Sequence, residues 1–311
     1  MITGIKGVRI RRAATVAGVG ALLAGGALTA PAQAATAPSV SAKGAFMLNS
    51  ATGSTLYSKY ADTKRPMAST TKIMTARVVL STPDLNLDRK VTIKQAYRDY
   101  VTAKGASTAD LKSGDKVTIR QLLHAMLLPS GCDAAMALAD AFGTGTTISA
   151  RTKSFISKMN AKADTLGLTN THFDSFDGNS TQTTNYTTPR DLAKLARSAM
   201  KYSTFAGIVK KPKTVQYATT STGGTRTYTW YNTNQLLGSY SGAIGVKTGT
   251  NTPSGPCLVF AATRNGKTVI GVLLNDQYRY TDAAKLLDYA FGTSSASTMR
   301  LRTLPTGAQR D

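Results

Sequence analysis

Strand patterns stand before Ser69 and after about Thr214, and helix patterns fill the middle. Near the start, Ala45-Phe46-Met47-Leu48 reads as a strand, Asn49 to Gly53 is rich in turn residues, and Ser54 to Ser58 alternates as a second strand. Near the end, Val215–Ala218 and Thr225–Trp230 flank Gly223-Gly224. Two apolar runs, Cys257–Thr263 and Thr268–Leu274, are joined by Arg264-Asn265-Gly266-Lys267, and an Asn-Gly pair favours a tight hairpin because it tolerates positive φ. Between these ends, an apolar helix runs from about Ser69 to Leu80 and stops at Pro83 and the aspartate-rich stretch to Asp88. Thr118-Ile119-Arg120-Gln121 is a capping box that opens a helix to Leu128. Pro129 to Asp133 breaks it, and further helices follow over Ala134–Phe142 and Ile148–Leu166. Thr188-Pro189-Arg190-Asp191, a cap followed by proline and an acid in the first turn, starts another to about Met200. Asp282–Phe291 is an amphipathic helix closed by Gly292. Lys90 to Lys116 is mixed, with short segments such as Val91-Thr92-Ile93. This order predicts an α/β (α+β) chain: an antiparallel sheet built from both chain ends and flanked by helices, with a mainly helical region inserted. The sheet region covers about 44–68 and 205–292 and the helical region about 69–204, with Ser69 at the cleft between them.

The chain has 311 residues, and the first 34 read as a leader rather than as part of the fold. Lys6, Arg9, Arg11 and Arg12 precede an uncharged Ala/Gly/Leu/Val run, and Pro31-Ala32-Gln33-Ala34 supplies an A-x-A cleavage pattern. An uncleaved anchor is the alternative, but the run is short and glycine-rich for a span. Residues 35–292 form the expected catalytic domain, and 293–311 a polar tail. The formal charge is +22, of which the leader's four basic residues carry a small share. Such a cationic exported protein is attracted to polyanions, here wall polymers or an anionic membrane surface. No RNP, zinc-finger or basic-helix pattern points to nucleic acid. A generally cationic, soluble surface explains the charge equally well.

All 16 acidic residues are aspartate. The absence of glutamate removes a glutamate base, a glutamate nucleophile and the H-E-x-x-H zinc motif. His124 sits on the apolar run Leu122–Leu128 and fits packing better than catalysis, and His172 lies in a turn-like stretch. No G-x-S-x-G elbow occurs. Cys132 and Cys257 are the two cysteines; export permits a bridge, but the sequence does not decide one. No residues cluster with metal-ligand spacing, so no metal or cofactor is expected.

Ser69-Thr70-Thr71-Lys72 is a Ser-x-x-Lys step at a helix mouth. Residues three apart share a helix face, so the Lys72 amine in its neutral form can take the Ser69 proton. Free backbone N–H groups at such a helix start can hold an oxyanion. An ordinary helix start with an exposed lysine would carry the same four residues. The step gains weight from two more elements in order: Ser130-Gly131-Cys132 on the loop between helices, and Lys247-Thr248-Gly249 on a strand. S-x-x-K, S-D-N and K-T-G together form the signature of penicillin-binding proteins and class A β-lactamases.

With these motifs, the chain resembles the low-mass penicillin-binding proteins, the D-alanyl-D-alanine carboxypeptidase/transpeptidase family, from about Ala45 to Gly292. It closely resembles actinomycete DD-transpeptidases whose second motif is Ser-Gly-Cys. Asn232 to Gly238 and Tyr186 to Leu192 also look like family segments. The resemblance implies a penicillin-binding transpeptidase/serine β-lactamase-like fold. It also implies a serine acyl-transfer reaction at the D-Ala-D-Ala end of peptidoglycan stem peptides, with β-lactams as inhibitors and a place outside the cytoplasm at the wall. Residue by residue, Ser69 would be the acylated nucleophile, Lys72 its base, and Ser130 the proton donor to the leaving amine. Lys247 and Thr248 would bind the substrate carboxylate. Gly249 would let the substrate approach the strand, and the Ser69 and Thr250 N–H groups would form the oxyanion hole. Cys132 stands where many members have asparagine, and a thiol is a weaker hydrogen-bonding group than an amide. A serine β-lactamase is the competing enzyme, although the class A type deacylates with a glutamate that this chain lacks. A cationic wall-binding protein with a degenerate site is the non-enzymatic alternative.

Overall fold

The hydrophobic pattern of the two chain ends is satisfied by pairing them with each other. The computed structural model describes residues 36–180 and 184–310; the predicted leader lies outside them. Strand β1 (Gly44–Asn49) turns into β2 (Thr55–Lys59), and the short β3 (Arg65–Pro66) leads to a 3-10 turn, Ala68–Thr71, and helix α1 (Lys72–Leu80). Next come β4 (Lys90–Thr92), α2 (Gln95–Lys104), β5 (Lys116–Thr118), α3 (Ile119–Leu127), α4 (Cys132–Phe142) and α5 (Ile148–Thr165). Then follow β6 (Tyr186–Thr187), α6 (Pro189–Met200), α7 (Ser203–Val209), β7 (Lys213–Thr219) and β8 (Thr225–Tyr231). The chain continues through β9 (Ala243–Asn251), β10 (Gly255–Arg264), β11 (Lys267–Leu274) and α8 (Arg279–Phe291).

The main sheet has the order β2-β1-β11-β10-β9 and its pairings are antiparallel. Strand β1 lies beside β11, with Gly44 opposite Leu274 and Asn49 opposite Val269, so the two chain ends meet inside the sheet as the strand pattern predicts. Alternate residues of β10 serve opposite faces. Leu258, Phe260 and Ala262 pack with Leu286 and Leu287 of α8, while Val259 and Ala261 belong to the core shared with the helical region. That two-sided burial is why β10 and β11 read as unbroken apolar runs.

The hairpin β7–β8 departs from the single-sheet expectation. It joins β4 and β5 in a separate sheet of order β4-β5-β7-β8. Its inward residues Tyr228 and Trp230 belong to the core of the helical region, so its apolar side is consumed there. Helix α2 is a further difference. Only Tyr97 of it is buried, so it lacks the apolar stripe that identifies a helix in sequence.

The predicted caps form. The Thr118 side chain accepts from the Gln121 N–H and the Gln121 side chain accepts from the Thr118 N–H. Thr188 caps α6 through the Asp191 N–H with Pro189 in the first turn. Each cap is worth about 1 kcal/mol. All of α1 except Arg77 is buried, including Lys72. A helix buried on nearly every side is a central core helix, and this one begins at Lys72.

His124 is 4 % exposed within the core, so it packs as its apolar neighbours suggest. Burial, with smaller contributions from Lys211 and Arg120, pushes its imidazole down to about 4. An exposed histidine titrates near ~6.5. As pH falls, the unfolded chain therefore takes up this proton first. The fold loses stability from ~6.5 down through the folded value, by up to roughly 3 kcal/mol. His124→Gln should flatten that part of the acid limb in urea melts between about pH 7 and pH 4.5. An unchanged slope would show that His124 does not set it.

Candidate active site

Ser69 lies in the 3-10 turn rather than in α1, and Lys72 is the first residue of the α-helix. A 3-10 turn has three residues per turn, so positions i and i+3 eclipse. Lys72 Nζ accordingly donates to Ser69 Oγ at 2.8 Å, and also to the Asp177 carbonyl at 2.9 Å. Ser69 is half-buried at the cleft, and Lys72 is fully buried behind it. The turn is held by distant segments: Ala68 N–H donates to Ser254 Oγ, and Asn185 donates to Thr71 Oγ1.

Strand β9 is an edge strand and its backbone lies against this turn. A Cβ on Gly249 would fall 2.7 Å from the Ser69 nitrogen and 3.0 Å from that of Thr70, so only glycine permits the approach. Lys247 and Thr248 are buried on the same strand. Lys247 Nζ donates to the Thr248 carbonyl at 2.9 Å, and Thr248 Oγ1 is 2.5 Å from Thr233 Oγ1. Ser69, Cys132 and Thr250 line one cavity of about 510 Å³ together with Ser107 and Asn179. Ser130 sits between α3 and α4 with φ +66. Its carbonyl accepts from Ser107 Oγ, and its own Oγ is buried without a hydrogen-bond partner among the described residues. Ser130 itself does not line the cavity, although Cys132 two residues on does; a buried hydroxyl without a partner calls for a functional explanation.

Cys132 and Cys257 are both buried free thiols, so no bridge joins them. Burial, then the nearby Asp177 carboxylate, pushes the Cys132 thiol up to about 12. It is therefore protonated at neutral pH and a poor nucleophile beside Ser69. His172 is on the surface, where its backbone bridges Tyr186.

Three supports carry no motif. Asp177 contributes its carbonyl to Lys72, while its carboxylate accepts from Tyr100, Ser175 and the Asn179 N–H. Burial, reinforced by Asp177, raises the Tyr100 phenol, so it stays a proton donor. Arg279, 7 % exposed, donates to the Gly249 and Cys257 carbonyls and to Thr250 Oγ1, fixing the end of β9. By sequence, Phe173, Phe176, Asp177 and Gly178 are the expected fixed points of the polar loop from Thr169 to Asn185; Arg279 does not stand out, because the helix signal begins only at Asp282.

Gly178 ties the loop to the turn. Its φ is +85, and a Cβ there would lie 1.9 Å from the Ala68 carbonyl oxygen. Gly178→Ala should cost about 2 kcal/mol or more, from a strained backbone plus a clash that must displace the turn. Urea denaturation and β-lactam acylation measured on the same variant should both suffer; wild-type values in both would show that the loop and turn are not coupled.

The model of the peptidase S11 family, described as D-alanyl-D-alanine carboxypeptidase, matches residues 31–278. The D-alanyl-D-alanine carboxypeptidase of Streptomyces sp. strain K15 is 58% identical over 290 residues, covering 91% of this chain and 99% of that protein. The carboxypeptidase DacF of Bacillus subtilis is 31% identical, and there the match covers 80% of this chain and 62% of the relative. The crystal structure of the Streptomyces K15 DD-transpeptidase superposes with a TM-score of 0.82, covering 83% of this chain and 100% of that one. The chain belongs to the peptidase S11 family of D-alanyl-D-alanine carboxypeptidases.

Proposed function

We propose that the protein is a serine D-Ala-D-Ala carboxypeptidase/transpeptidase that works through an acyl-enzyme on Ser69. The observation that carries this reading is the Lys72 amine bonded to Ser69 Oγ at 2.8 Å in a turn packed against Gly249. Ser69 Oγ attacks the carbonyl of the penultimate D-alanine while Lys72 accepts its proton. The oxyanion forms where the Ser69 and Thr250 N–H groups can hold it. The C–N bond then breaks, and Ser130 Oγ passes its proton to the leaving D-alanine amine and regains one from Lys72. Lys247 and Thr248 hold the terminal carboxylate, and Cys132 lines the cleft beside the acyl group. Water releases a shortened peptide; an amine acceptor on a second stem peptide yields a cross-link. β-Lactams enter the same path, because their amide carbonyl presents the same target to Ser69.

The family's members are extracytoplasmic wall enzymes, and we infer export of this chain through the leader predicted for residues 1–34. The high positive charge supports contact with anionic wall polymers or the membrane surface. Mass spectrometry of a digest after benzylpenicillin treatment tests the reading. A penicilloyl adduct on the peptide holding Ser69 is expected, and a folded protein with no adduct there would overturn it. A chromogenic lactam separates a β-lactamase, which would turn it over steadily.

A further inference from the structure

The polar tail after α8 is held firmly at one point. The Arg302 guanidinium donates to the carbonyls of Asn232, Asn234 and Leu237, its backbone N–H donates to Ser239 Oγ, and its carbonyl accepts from Gln235. Leu304 is 5 % exposed. Past this anchor the chain runs towards the catalytic serine. Thr306 to Gln309 line a groove with Thr108–Asp110, Pro129 and the β8 residues Thr227–Tyr231. Gln309 and Arg310 then line the same cavity as Ser69, Cys132 and Thr250.

The grip on Pro305 to Arg310 is loose. Among the described residues, the hydrogen bonds of this stretch stay within the tail: Ala308 N–H to the Pro305 carbonyl, and Arg310 to the Leu304 carbonyl. Thr306, Gly307 and Arg310 are exposed. A firmly anchored root followed by residues 306–310 lying loosely in a substrate cleft has the form of a displaceable occupant.

The geometry points to residues 306–310 as an intrasteric strap: they occupy the channel through which an extended peptide reaches Ser69, and substrate must displace them. This rests on Ser69 being the acylated residue. A tethered segment works at an effective concentration near the millimolar range, so weak contacts suffice to fill the channel for much of the time. Apparent ligand affinity then falls in proportion to the fraction of molecules with an open channel. The strap slows acylation without changing its end point.

A chain ending at Pro305 keeps the Arg302 and Leu304 anchors and tests this. Its second-order acylation by benzylpenicillin should rise about 5–10-fold, with KM for a D-Ala-D-Ala peptide lower and kcat unchanged, as removal of a competing occupant requires. Rates within about twofold of the full chain would overturn the strap. If neither form acquires an adduct on Ser69, the catalytic reading fails and the strap with it; equal acylation of both defeats the strap alone. A second measurement uses the full chain, so it does not depend on the shortened form folding. Trp230 is the single tryptophan and lines the same groove as Ala308. Ala308→Cys can be labelled with a bimane, which tryptophan quenches, because Cys132 and Cys257 are buried. Bimane fluorescence should rise when the cleft is acylated, and a constant signal at full acylation would overturn the proposal.

Discussion

Ser69→Ala should abolish the penicilloyl adduct and lower peptide cleavage by at least about 10³-fold, with the fold intact. The size follows from the lack of a substitute. Cys132 lines the same cavity, but its buried thiol holds its proton up to about 12. His124 is buried in the helical core, and there is no glutamate anywhere in the chain. Stability should change little. Ser69 is half-buried, and removing its Oγ leaves Lys72 still bonded to the Asp177 carbonyl. Loss of one partly exposed hydrogen bond costs about 1 kcal/mol. Circular dichroism melts and intact-mass spectra on the same sample separate the two effects. An adduct on the Ser69→Ala protein would move the nucleophile elsewhere.

The parts of this site that the sequence reveals are those that use a residue type in an unusual place. Ser69 and Lys72 are legible because a three-residue spacing has one geometric meaning in a helical turn, whether that turn is 3-10 or α. Lys247 and Gly249 are legible only through the resemblance of Lys-Thr-Gly to the family's third motif. The Asp177 carbonyl is not legible, since every residue has one and only the folded loop aims it at Lys72. Arg279 is hidden for the same reason: it grips the backbone carbonyls of Gly249 and Cys257.

The fold divides in the same way. The Asn265-Gly266 hairpin and the β1 run fix the main sheet, because their apolar residues need cover on both faces. The β7–β8 pattern shows that a strand is present but not which sheet it joins; that choice depends on Tyr228 and Trp230 finding the helical core. The tail reads as polar, but where it docks is illegible. Its anchor is one arginine meeting carbonyls some 65 or more residues away, which leaves no periodic trace.

Lys72→Met separates chemistry from architecture. Methionine fills nearly the same volume on the buried face of α1 but offers no proton acceptor, so acylation should fall by about 10²–10⁴-fold. Two stability effects then oppose each other. The Asp177 carbonyl loses its donor, and an unsatisfied buried acceptor costs about 1–3 kcal/mol. Against that, the fold no longer has to hold an amine that is 0% exposed, and burying a polar or charged nitrogen carries a penalty of similar size. The two nearly cancel, so the urea midpoint should shift little while the rate collapses. Lys72→Ala removes the same amine and also opens a cavity, which adds roughly 2–5 kcal/mol of destabilisation. The pair of variants thus shares one kinetic defect and differs in stability. If Lys72→Met acylates within about tenfold of wild type, a different group takes the serine proton, and the 2.8 Å contact between Lys72 and Ser69 is structural.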